Sequence, residues 1–460
     1  MSDRHFGYVA QAQAIGRRDG RRQNAYRRES ETRMSNFGYF VSKLGDHGMG
    51  RALRHRDYAI YALAGWVSNI GLWVQKTALF WLLWELTNSY SALGALAFAE
   101  AIMTILVMPY AGTLTDRYDR LKMARIVQVA LLSIGTLFAV LSALDLITIH
   151  ILFGLVMING IAEGFWTPLR MTMPPSLVPR EDLPAALGVS AAMFNLAQFI
   201  GPALGGIIVA FFGVTYAFIF NAASFLGYLL VLFIVTLRYD EVVSRKTEGF
   251  IKEFKAGLIY IAETAGLRRF LVLSLGASLL MRAYRELFAG ISDGIFGMGV
   301  EGLAILSSAA GLGALVTALY LGNFGKIKGL IRSILIFLFV AVVAQIALAS
   351  ATVFWFAVLS AAVLSATATY AGIGGQLLVQ NTIHGAVRGR VMSVWGMILR
   401  GGPASGAWMV GTIAGFSDLQ FAFYTATGLF VVVLLWTLPK AKNMAANLER
   451  SSEERDAADS

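Results

Sequence analysis

Two long apolar segments are joined by the stretch Gly112-Thr113-Leu114-Thr115-Asp116-Arg117-Tyr118-Asp119-Arg120-Leu121-Lys122, in which five of eleven residues are charged. Charged side chains are costly inside lipid, so this stretch belongs at a membrane surface. The apolar segments on either side are about 20 residues long, and a helix of that length spans a hydrocarbon core of about 30 Å. The sequence here predicts two membrane-spanning helices joined by a short charged turn.

The composition of the whole chain is that of a membrane protein. Apolar residues make up 57% of the 460 residues and charged residues 14%, which is too few charges to solvate a soluble surface of this size. Apolar stretches alternate with short polar breaks, and we read spans at 58–84, 91–114, 124–144, 149–173, 184–211, 214–237, 270–296, 301–323, 330–350, 352–381, 390–415 and 419–438. The predicted fold class is an all-α membrane protein with about twelve transmembrane helices.

The basic residues that give the net charge of +10 lie in particular loops of this topology. Every second loop is rich in Lys and Arg, for example at Arg54, Arg117, Arg180, Arg269 and Lys440. The opposite loops have no basic residue and hold Glu85, Asp145, Asp293, Glu301 and Asp418. This positive-inside pattern predicts that both termini are cytoplasmic, and it accounts for the charge without a nucleic-acid partner.

An internal repeat divides the chain into two halves. Gly201-Pro202-Ala203-Leu204-Gly205 in the fifth span matches Gly402-Pro403-Ala404-Ser405-Gly406 in the eleventh. Repeated bundles of membrane helices are typical of secondary transporters, in which two bundles rock about a central site. The repeat predicts two pseudo-symmetric six-helix bundles.

Five regions are expected along the chain. They are a basic, disordered cytoplasmic tail (1–53), an N-terminal six-helix bundle (54–237), a cytoplasmic linker (238–269), a C-terminal six-helix bundle (270–439) and a second cytoplasmic tail (440–460). In the linker, Phe250, Phe254, Leu258 and Ile261 recur at helical spacing. This spacing predicts an amphipathic helix that lies on the inner membrane surface or beneath the bundles.

Cysteine and histidine, which many catalytic and metal sites use, are absent or scattered along the chain. The chain has no cysteine, which excludes disulfides and thiolate metal sites. Its five histidines lie in tails and loops, outside any metalloprotease or nucleophile motif. We therefore expect neither an enzyme nor a protein with a cofactor or metal.

Charged residues inside the spans need a cavity or a partner, because each costs at least about 2.5 kcal/mol in lipid. They are Lys76, Glu100, Glu163, Arg170, Arg282, Arg285, Glu286 and Arg400. Glu100 and Glu163 are candidates for a proton relay, since carboxyl groups in a low-dielectric cavity can titrate near neutral pH. The alternative is that either carboxylate is a fixed counter-ion, for instance to Lys76.

The basic residues of this set suggest two further roles. Arg282 and Glu286 are four residues apart and can pair on one helix face, which leaves Arg285 and Arg400 to find other partners. An excess of positive charge would favour an anionic substrate. Alternatively, the arginines pair with Glu100 or Glu163 across the halves as a gate. The charged candidates for binding substrate or for gating are therefore Lys76, Arg170, Arg282, Arg285, Glu286 and Arg400. The neutral candidates are Asn195, Gln198 and Gln376, for which helix-to-helix hydrogen bonds are the alternative role.

The opening stretch closely resembles the loop motif G-x-L-[ST]-D-R-x-[GD]-R-x-[KR] of the major facilitator superfamily. The resemblance implies that Gly112, Asp116, Arg117 and Arg120 form a conformational latch that clamps the halves at the cytoplasmic side. In that superfamily helices one, four, seven and ten line the cavity and two, five, eight and eleven flank it. The intramembrane charges follow this layout.

Two further resemblances point to export. Gly201, Pro202, Gly205 and Gly206 are similar to an exporter motif of the superfamily. The stretches Pro168-Leu169-Arg170, Leu177-Val178-Pro179-Arg180-Glu181-Asp182-Leu183 and Arg388-Gly389-Arg390-Val391-Met392-Ser393 resemble the bacterial subgroup of enterobactin exporters, the transmembrane secretion effectors. The span-four Arg of many drug/proton antiporters is absent, with Val156 in its place.

The resemblance implies a secondary transporter that works by alternating access. We expect a monomer in a bacterial cytoplasmic (inner) membrane, in contact with lipid, that uses the proton-motive force to export a small amphipathic molecule. This substrate is siderophore-like or drug-like, and anionic if the arginines face it. An importer of the same fold and a non-transporting membrane scaffold or sensor are the alternatives.

Overall fold

The computed structural model describes residues 50–238, 250–324, 327–383 and 386–449, and within these ranges it contains helices and no strands. We number the long helices α1 Arg56–Thr87, α2 Tyr90–Arg117, α3 Arg120–Ala143, α4 Ile149–Leu177, α5 Leu183–Phe212, α6 Val214–Ile234, α7 Ala265–Leu280, α8 Gly299–Phe324, α9 Leu330–Ala349, α10 Phe354–Thr382, α11 Ala386–Phe416 and α12 Leu419–Thr437. Shorter helices are Gly50–Leu53, the linker helix Phe250–Glu263 and the C-terminal helix Ala441–Leu448.

These helices are those of a membrane protein. Nine of the described helices are long and apolar enough to cross a membrane, and a bent pair that contains the linker helix and α7 would make a tenth. The two remaining long helices, α1 and α11, have 32 and 31 residues and carry Lys76 and Arg400. The predicted all-α membrane fold is confirmed, and the described helices are consistent with twelve spans.

Neighbouring helices alternate in direction, which places all connections at two ends of the molecule. In α3 and α6, Arg125 Nε donates to the Leu232 carbonyl at one end, and Ser142 Oγ lies 2.7 Å from Thr215 Oγ1 at the other. We call the first the basic end, because its connections carry Arg180, Arg268 and Lys440, among others. The second is the acidic end, with Asp145, Asp293 and Asp418.

The packing of the first six long helices is repeated in the last six. Helix α1 packs on α5, α2 on α4 and α3 on α6; correspondingly, α7 packs on α11, α8 on α10 and α9 on α12. Gly201 of α5 lies against Trp73 of α1, and Gly402 of α11 lies against Ser278 of α7. Between the halves, α2 packs along α11 and α5 along α8. The two pseudo-symmetric bundles are thus confirmed.

The charged stretch that predicted a turn is mostly helical. Helix α2 continues through Arg117, so only Tyr118 and Asp119 separate it from α3. Asp119 Oδ1 accepts a hydrogen bond of 2.9 Å from the Lys122 amide and caps α3. Continuing the helix satisfies the backbone of α2 internally as it leaves the lipid.

The seventh span is broken, whereas the sequence predicted a continuous helix over 270–296. After α7 the chain forms a 3-10 turn Ala283–Leu287, a short helical stretch Phe288–Gly290 and a π-helical turn Ile291–Ile295. We call 281–295 the α7 break. The expected pairing of Arg282 with Glu286 is wrong, because a 3-10 turn does not place residues four apart on one face. No ion pair within 4 Å joins them.

Two short helices pack on the basic end of the C-terminal half. Gly257 of the linker helix lies against Arg390 of α11, and Gly266 at the start of α7 lies against Asn447 of the C-terminal helix. Both Glu449 carboxylate oxygens accept from backbone amides at the start of α9, at 2.7 and 2.8 Å. Residues 441–448 of the region expected to be a tail are therefore helical and packed. Residues 450–460 of that tail and residues 1–49 lie outside the described residues.

Candidate functional site

A central cavity lies between the halves, beside the α7 break. Its lining comes from α1, α5, the α7 break and α8: Trp73, Lys76, Thr77, Phe80, Pro202, Arg285, Glu286, Phe288, Ala289, Leu303 and Ser307. Three of the predicted intramembrane charges therefore share one space. The α7 break brings two of them there, because it turns the chain off the helical path of α7.

Lys76 links carboxylates of both halves. Its Nζ lies 3.6 Å from Glu100 Oε2 of α2 and 3.9 Å from Glu286 Oε1 of the α7 break. The ammonium also lies 5.9 Å from the Trp73 ring centroid, within the range of a cation–π contact. We call Lys76, Glu100 and Glu286 the Lys76 triad. It is an ion-pair network across the interface of the two bundles.

The arginines at this interface contact neutral groups. With the Gln198 amide oriented so that its oxygen faces the guanidinium, Arg285 donates to it from both terminal nitrogens at 3.0 Å. Arg400 of α11 donates to Thr167 Oγ1 of α4 at 3.3 Å. Both contacts cross between the halves. Neither arginine forms an ion pair with Glu100 or Glu163, which was the gating alternative.

Glu163 and Arg170 lie on α4 in the N-terminal half. Glu163 is 8% exposed, and its carboxylate forms no ion pair within 4 Å of a described residue. Arg400, Arg170 and Lys76 nevertheless act on it electrostatically. Arg170 itself donates to Asn69 Oδ1 at 3.3 Å and lies over the Phe194 ring.

The intramembrane charges predicted from the sequence include more basic than acidic residues. The predicted set comprises five basic and three acidic side chains, so its net charge is +2 when all are ionised. Arg282 belongs to a second cavity inside the C-terminal half, which it lines with Ser278, Thr367 and Trp395. It makes no hydrogen bond to a described residue.

The remaining candidates lie apart from the triad. Asn195 donates to the Ala191 carbonyl of its own helix at 2.8 Å. Gln376 is exposed and has no hydrogen-bond partner among the described residues. Arg120 donates to Ser176 Oγ at 3.2 Å, and a Cβ on Gly112 would have open space around it. The side chains of Asp116 and Arg117 lie outside the described part, so the latch stays a prediction.

The predicted exporter motif brings three helices together. Gly201 and Gly205 of α5 allow close approach to α1, and Gly206 lies directly against Ala304 of α8 in the other half. Pro202 lines the central cavity. The motif is thus a packing surface at the interface of the halves, with one residue at the cavity.

The acidic end is closed by contacts that the sequence analysis missed. Trp84 Nε1 of α1 donates to Asp293 Oδ2 at 2.8 Å, and Tyr90 OH of α2 donates to the Gly290 carbonyl at 3.2 Å. We call these four residues the acidic-end seal. The sequence analysis assigned Asp293 only to a loop. An acidic residue near the end of span seven and a Trp near the end of span one were the sequence signals that could have indicated this contact.

The described contacts between the halves run from the helix midpoints to the acidic end. Near the midpoints, Gly311 of α8 lies against the Gln198 backbone, and Gly401 of α11 lies against Ile105. Beyond them, towards the basic end, Arg400 is exposed although it lies near the middle of α11. The described contacts between the halves therefore close the acidic end and leave Arg400 exposed on the side of the basic end. No group of three or more metal-ligating side chains occurs among the residues described.

A family model described as "Transmembrane secretion effector" matches residues 51–458. The chain belongs to this family. It is therefore a transporter of the major facilitator superfamily, as the loop motif predicted. The MFS-type transporter YfiS of Bacillus subtilis (strain 168) is 26% identical over 395 residues, which cover 81% of this chain and 90% of YfiS.

Two further comparisons agree with this family. The enterobactin exporter EntS of Escherichia coli O1:K1 / APEC is 24% identical over 339 residues, which cover 71% of this chain and 78% of EntS. The crystal structure of a bacterial homologue of the iron transporter ferroportin in an inward-facing state superposes with a TM-score of 0.62 at 16% identity, covering 83% of this chain and 98% of that one. At this identity the likeness shows the fold alone.

Proposed function

We propose that this transporter exports a small amphipathic anion by alternating access, driven by the proton-motive force. The observation that carries the proposal is the Lys76 triad, in which one cation holds carboxylates of both halves beside a cavity lined by two cations and one anion. The basic end is cytoplasmic in this proposal, which the distribution of Lys and Arg supports.

The triad offers a way to leave the state that is open at the basic end. A substrate anion that draws Lys76 towards itself weakens the attraction between Lys76 and Glu286 that joins the α7 break to α1. This lowers the cost of separating the halves at the acidic end, where the exporter would release its substrate.

Charge and aromatic surface define the substrate class. Trp73 and Phe80 give the cavity apolar walls, while Lys76 and Arg285 supply positive charge next to them. A molecule with a flat apolar part and an acidic group fits both features. Outward movement of an anion is also favoured by an inside-negative potential, by about 2.3 kcal/mol per charge per 100 mV. Export rather than import is supported by the similarity to EntS, which is named an enterobactin exporter.

Other predicted residues take supporting roles in this proposal. Glu163 is the candidate for carrying the proton, because it is buried, unpaired by any described cation within 4 Å and subject to the field of Arg400 and Arg170. Asp116, Arg117 and Arg120 would clamp the halves at the basic end once that end closes. An Asp116→Asn protein should then lose the state that is open at the acidic end.

The test is flux in reconstituted vesicles. Small aromatic carboxylates, and amines of the same skeleton as controls, are offered with and without a pH gradient and a membrane potential. We expect carboxylate flux in the wild type and a loss of about tenfold or more in Arg285→Gln and Arg400→Gln. The exposed Lys255→Gln is the matched charge control. Unchanged carboxylate flux in both arginine variants would refute an anionic substrate.

The same vesicles test proton coupling. Transport by Glu163→Gln should lose its dependence on the pH gradient, and full dependence would remove Glu163 from proton coupling.

A further inference from the structure

A second cavity of different character lies on the outside of the C-terminal half. It is a groove between α9, α12 and the C-terminal helix, lined by apolar side chains that include Leu335, Phe339, Leu434 and Leu438. Two cations, Arg332 and Lys442, complete the lining. We call it the α9–α12 groove. It takes no part in the transport mechanism proposed above.

This groove faces the lipid. Helices α9 and α12 line neither the central cavity nor the interface between the halves. Phe339 is 61% exposed and Ile336, also in the lining, 53% exposed. Large apolar side chains exposed on a membrane span are covered by acyl chains. Because α9 starts and α12 ends at the basic end, the groove opens at the level of the headgroups there.

The two cations at the groove have no counter-charge among the residues that the structure describes. Arg332 and Lys442 are exposed, and neither makes an ion pair or hydrogen bond with a described residue. Glu449, an acidic residue that reaches the start of α9, has both oxygens committed to the amides of Gly329 and Ile331. The groove therefore combines an apolar channel with two cations at its mouth that no described residue pairs.

We propose that the α9–α12 groove binds an anionic phospholipid. One acyl chain lies along Leu335, Phe339 and Leu434, and the phosphate lies by Arg332 and Lys442. Basic pockets between membrane helices are suited to anionic headgroups in this way, since each basic residue near the surface contributes about 1 kcal/mol. The bound lipid joins α9 to the C-terminal helix, two elements that Glu449 also joins.

The chain's own C-terminal segment is a poor occupant. Residues 450–460 read RSSEERDAADS, in which the two alanines are the only apolar residues. Such a segment could meet the cations but could not fill an apolar groove. A lipid supplies both the charge and the apolar length.

The experiment measures lipid selectivity of the full chain. Protein from nanodiscs of phosphatidylcholine and phosphatidylglycerol in a 4:1 ratio is released and analysed by native mass spectrometry for retained lipid. We expect selective retention of phosphatidylglycerol, reduced about 25-fold in Arg332→Gln/Lys442→Gln, because each cation contributes about fivefold. Ala441→Phe, which keeps both charges but fills the groove, should also lose the lipid. Lys122→Gln/Lys255→Gln removes two exposed charges elsewhere and should keep it.

Three results would overturn the proposal. The first is equal retention of both lipids by the wild type. The second is selectivity for phosphatidylglycerol that persists in both groove variants. Loss of this selectivity in the Lys122→Gln/Lys255→Gln control, to the same extent as in the groove variants, would have the same meaning. The third is a protein dimer that the groove substitutions dissociate without any lipid selectivity, because a second copy would then be the occupant. Thermal unfolding of each variant, followed by circular dichroism, verifies that the substituted proteins are folded.

Discussion

At the scale of single residues, Lys76 carries the most weight because it faces two carboxylates from different halves. The side chains of the triad remain 20 to 31% exposed, so each pair contributes about 1 kcal/mol rather than the several expected of a dry interior. The network therefore holds the halves weakly enough to be broken in every transport cycle.

Removing the cation should harm the protein more than removing one of its partners. In Lys76→Met, Glu100 and Glu286 lose their common counter-charge, whereas Glu286→Gln leaves the pair of Lys76 with Glu100. We expect Lys76→Met to lower the melting temperature more than Glu286→Gln does. The double variant should recover part of the loss, since residues of one network are not additive. Melting temperatures that add up across the cycle would contradict the network.

The members of this site could be found from sequence, and the pair of Lys76 with Glu100 was one of the alternatives, but the pair of Lys76 with Glu286 was not predicted. Lys76, Glu100 and Glu286 stood out because charges are costly in lipid. Their contacts depend on three separated segments and on the α7 break, which an apolar composition does not reveal. Arg282 and Glu286 show the limit, since spacing predicted a pair that the 3-10 turn prevents.

At the scale of helices, the close contact of Gly206 with Ala304 controls how near α5 and α8 approach. A Cβ at Gly206 would overlap the Ala304 side chain, and such overpacking costs about 1 to 3 kcal/mol. We expect Gly206→Ala to lower both the melting temperature and transport. Gly227→Ala on α6, where a Cβ meets nothing within 4 Å, should leave both unchanged. A harmless Gly206→Ala would show that the halves do not need this contact.

A second prediction at the scale of helices concerns Glu449, which caps the N-terminus of α9. Its two oxygens satisfy amides at a helix N-terminus, where a carboxylate also meets the positive end of the helix dipole. Glu449→Ala should destabilise the protein by about 1 to 2 kcal/mol, measured by thermal unfolding in detergent. Glu263→Ala on the exposed face of the linker helix is the control. An equal effect of both substitutions would contradict the cap.

Helix positions were predicted well, and irregularities were not. The fifth span, expected at 184–211, is the helix Leu183–Phe212, because a long apolar run between polar breaks fixes both ends. The α7 break and the extension of α2 to Arg117 escaped prediction. Hydropathy identifies apolar stretches, but it carries little information about a break inside a span or about the residue at which a helix ends.

At the scale of the whole molecule, the closed acidic end can be locked covalently. A Cβ built on Gly415 of α11 would lie 3.9 Å from the Ser91 Cβ of α2, within the range of about 3.5 to 4.5 Å that disulfides require. The chain has no cysteine of its own. Oxidised Ser91→Cys/Gly415→Cys should therefore lose transport by about tenfold or more and regain it on reduction, because alternating access needs this end to open.

The controls for this lock are the two single-cysteine proteins, which should transport equally with and without oxidant. Full flux through a completely cross-linked double variant, verified by its altered migration in a non-reducing gel, would rule out opening at the acidic end.

The contact of Glu449 with the start of α9 also has a consequence for biosynthesis. The carboxylate lies 120 residues after the Gly329 amide that it caps. The ninth helix must therefore enter the membrane and wait uncapped while three further spans are made. The second bundle is completed only when the ribosome has passed residue 449, so a stalled or prematurely ended chain leaves a loosened ninth helix for quality-control proteases to recognise.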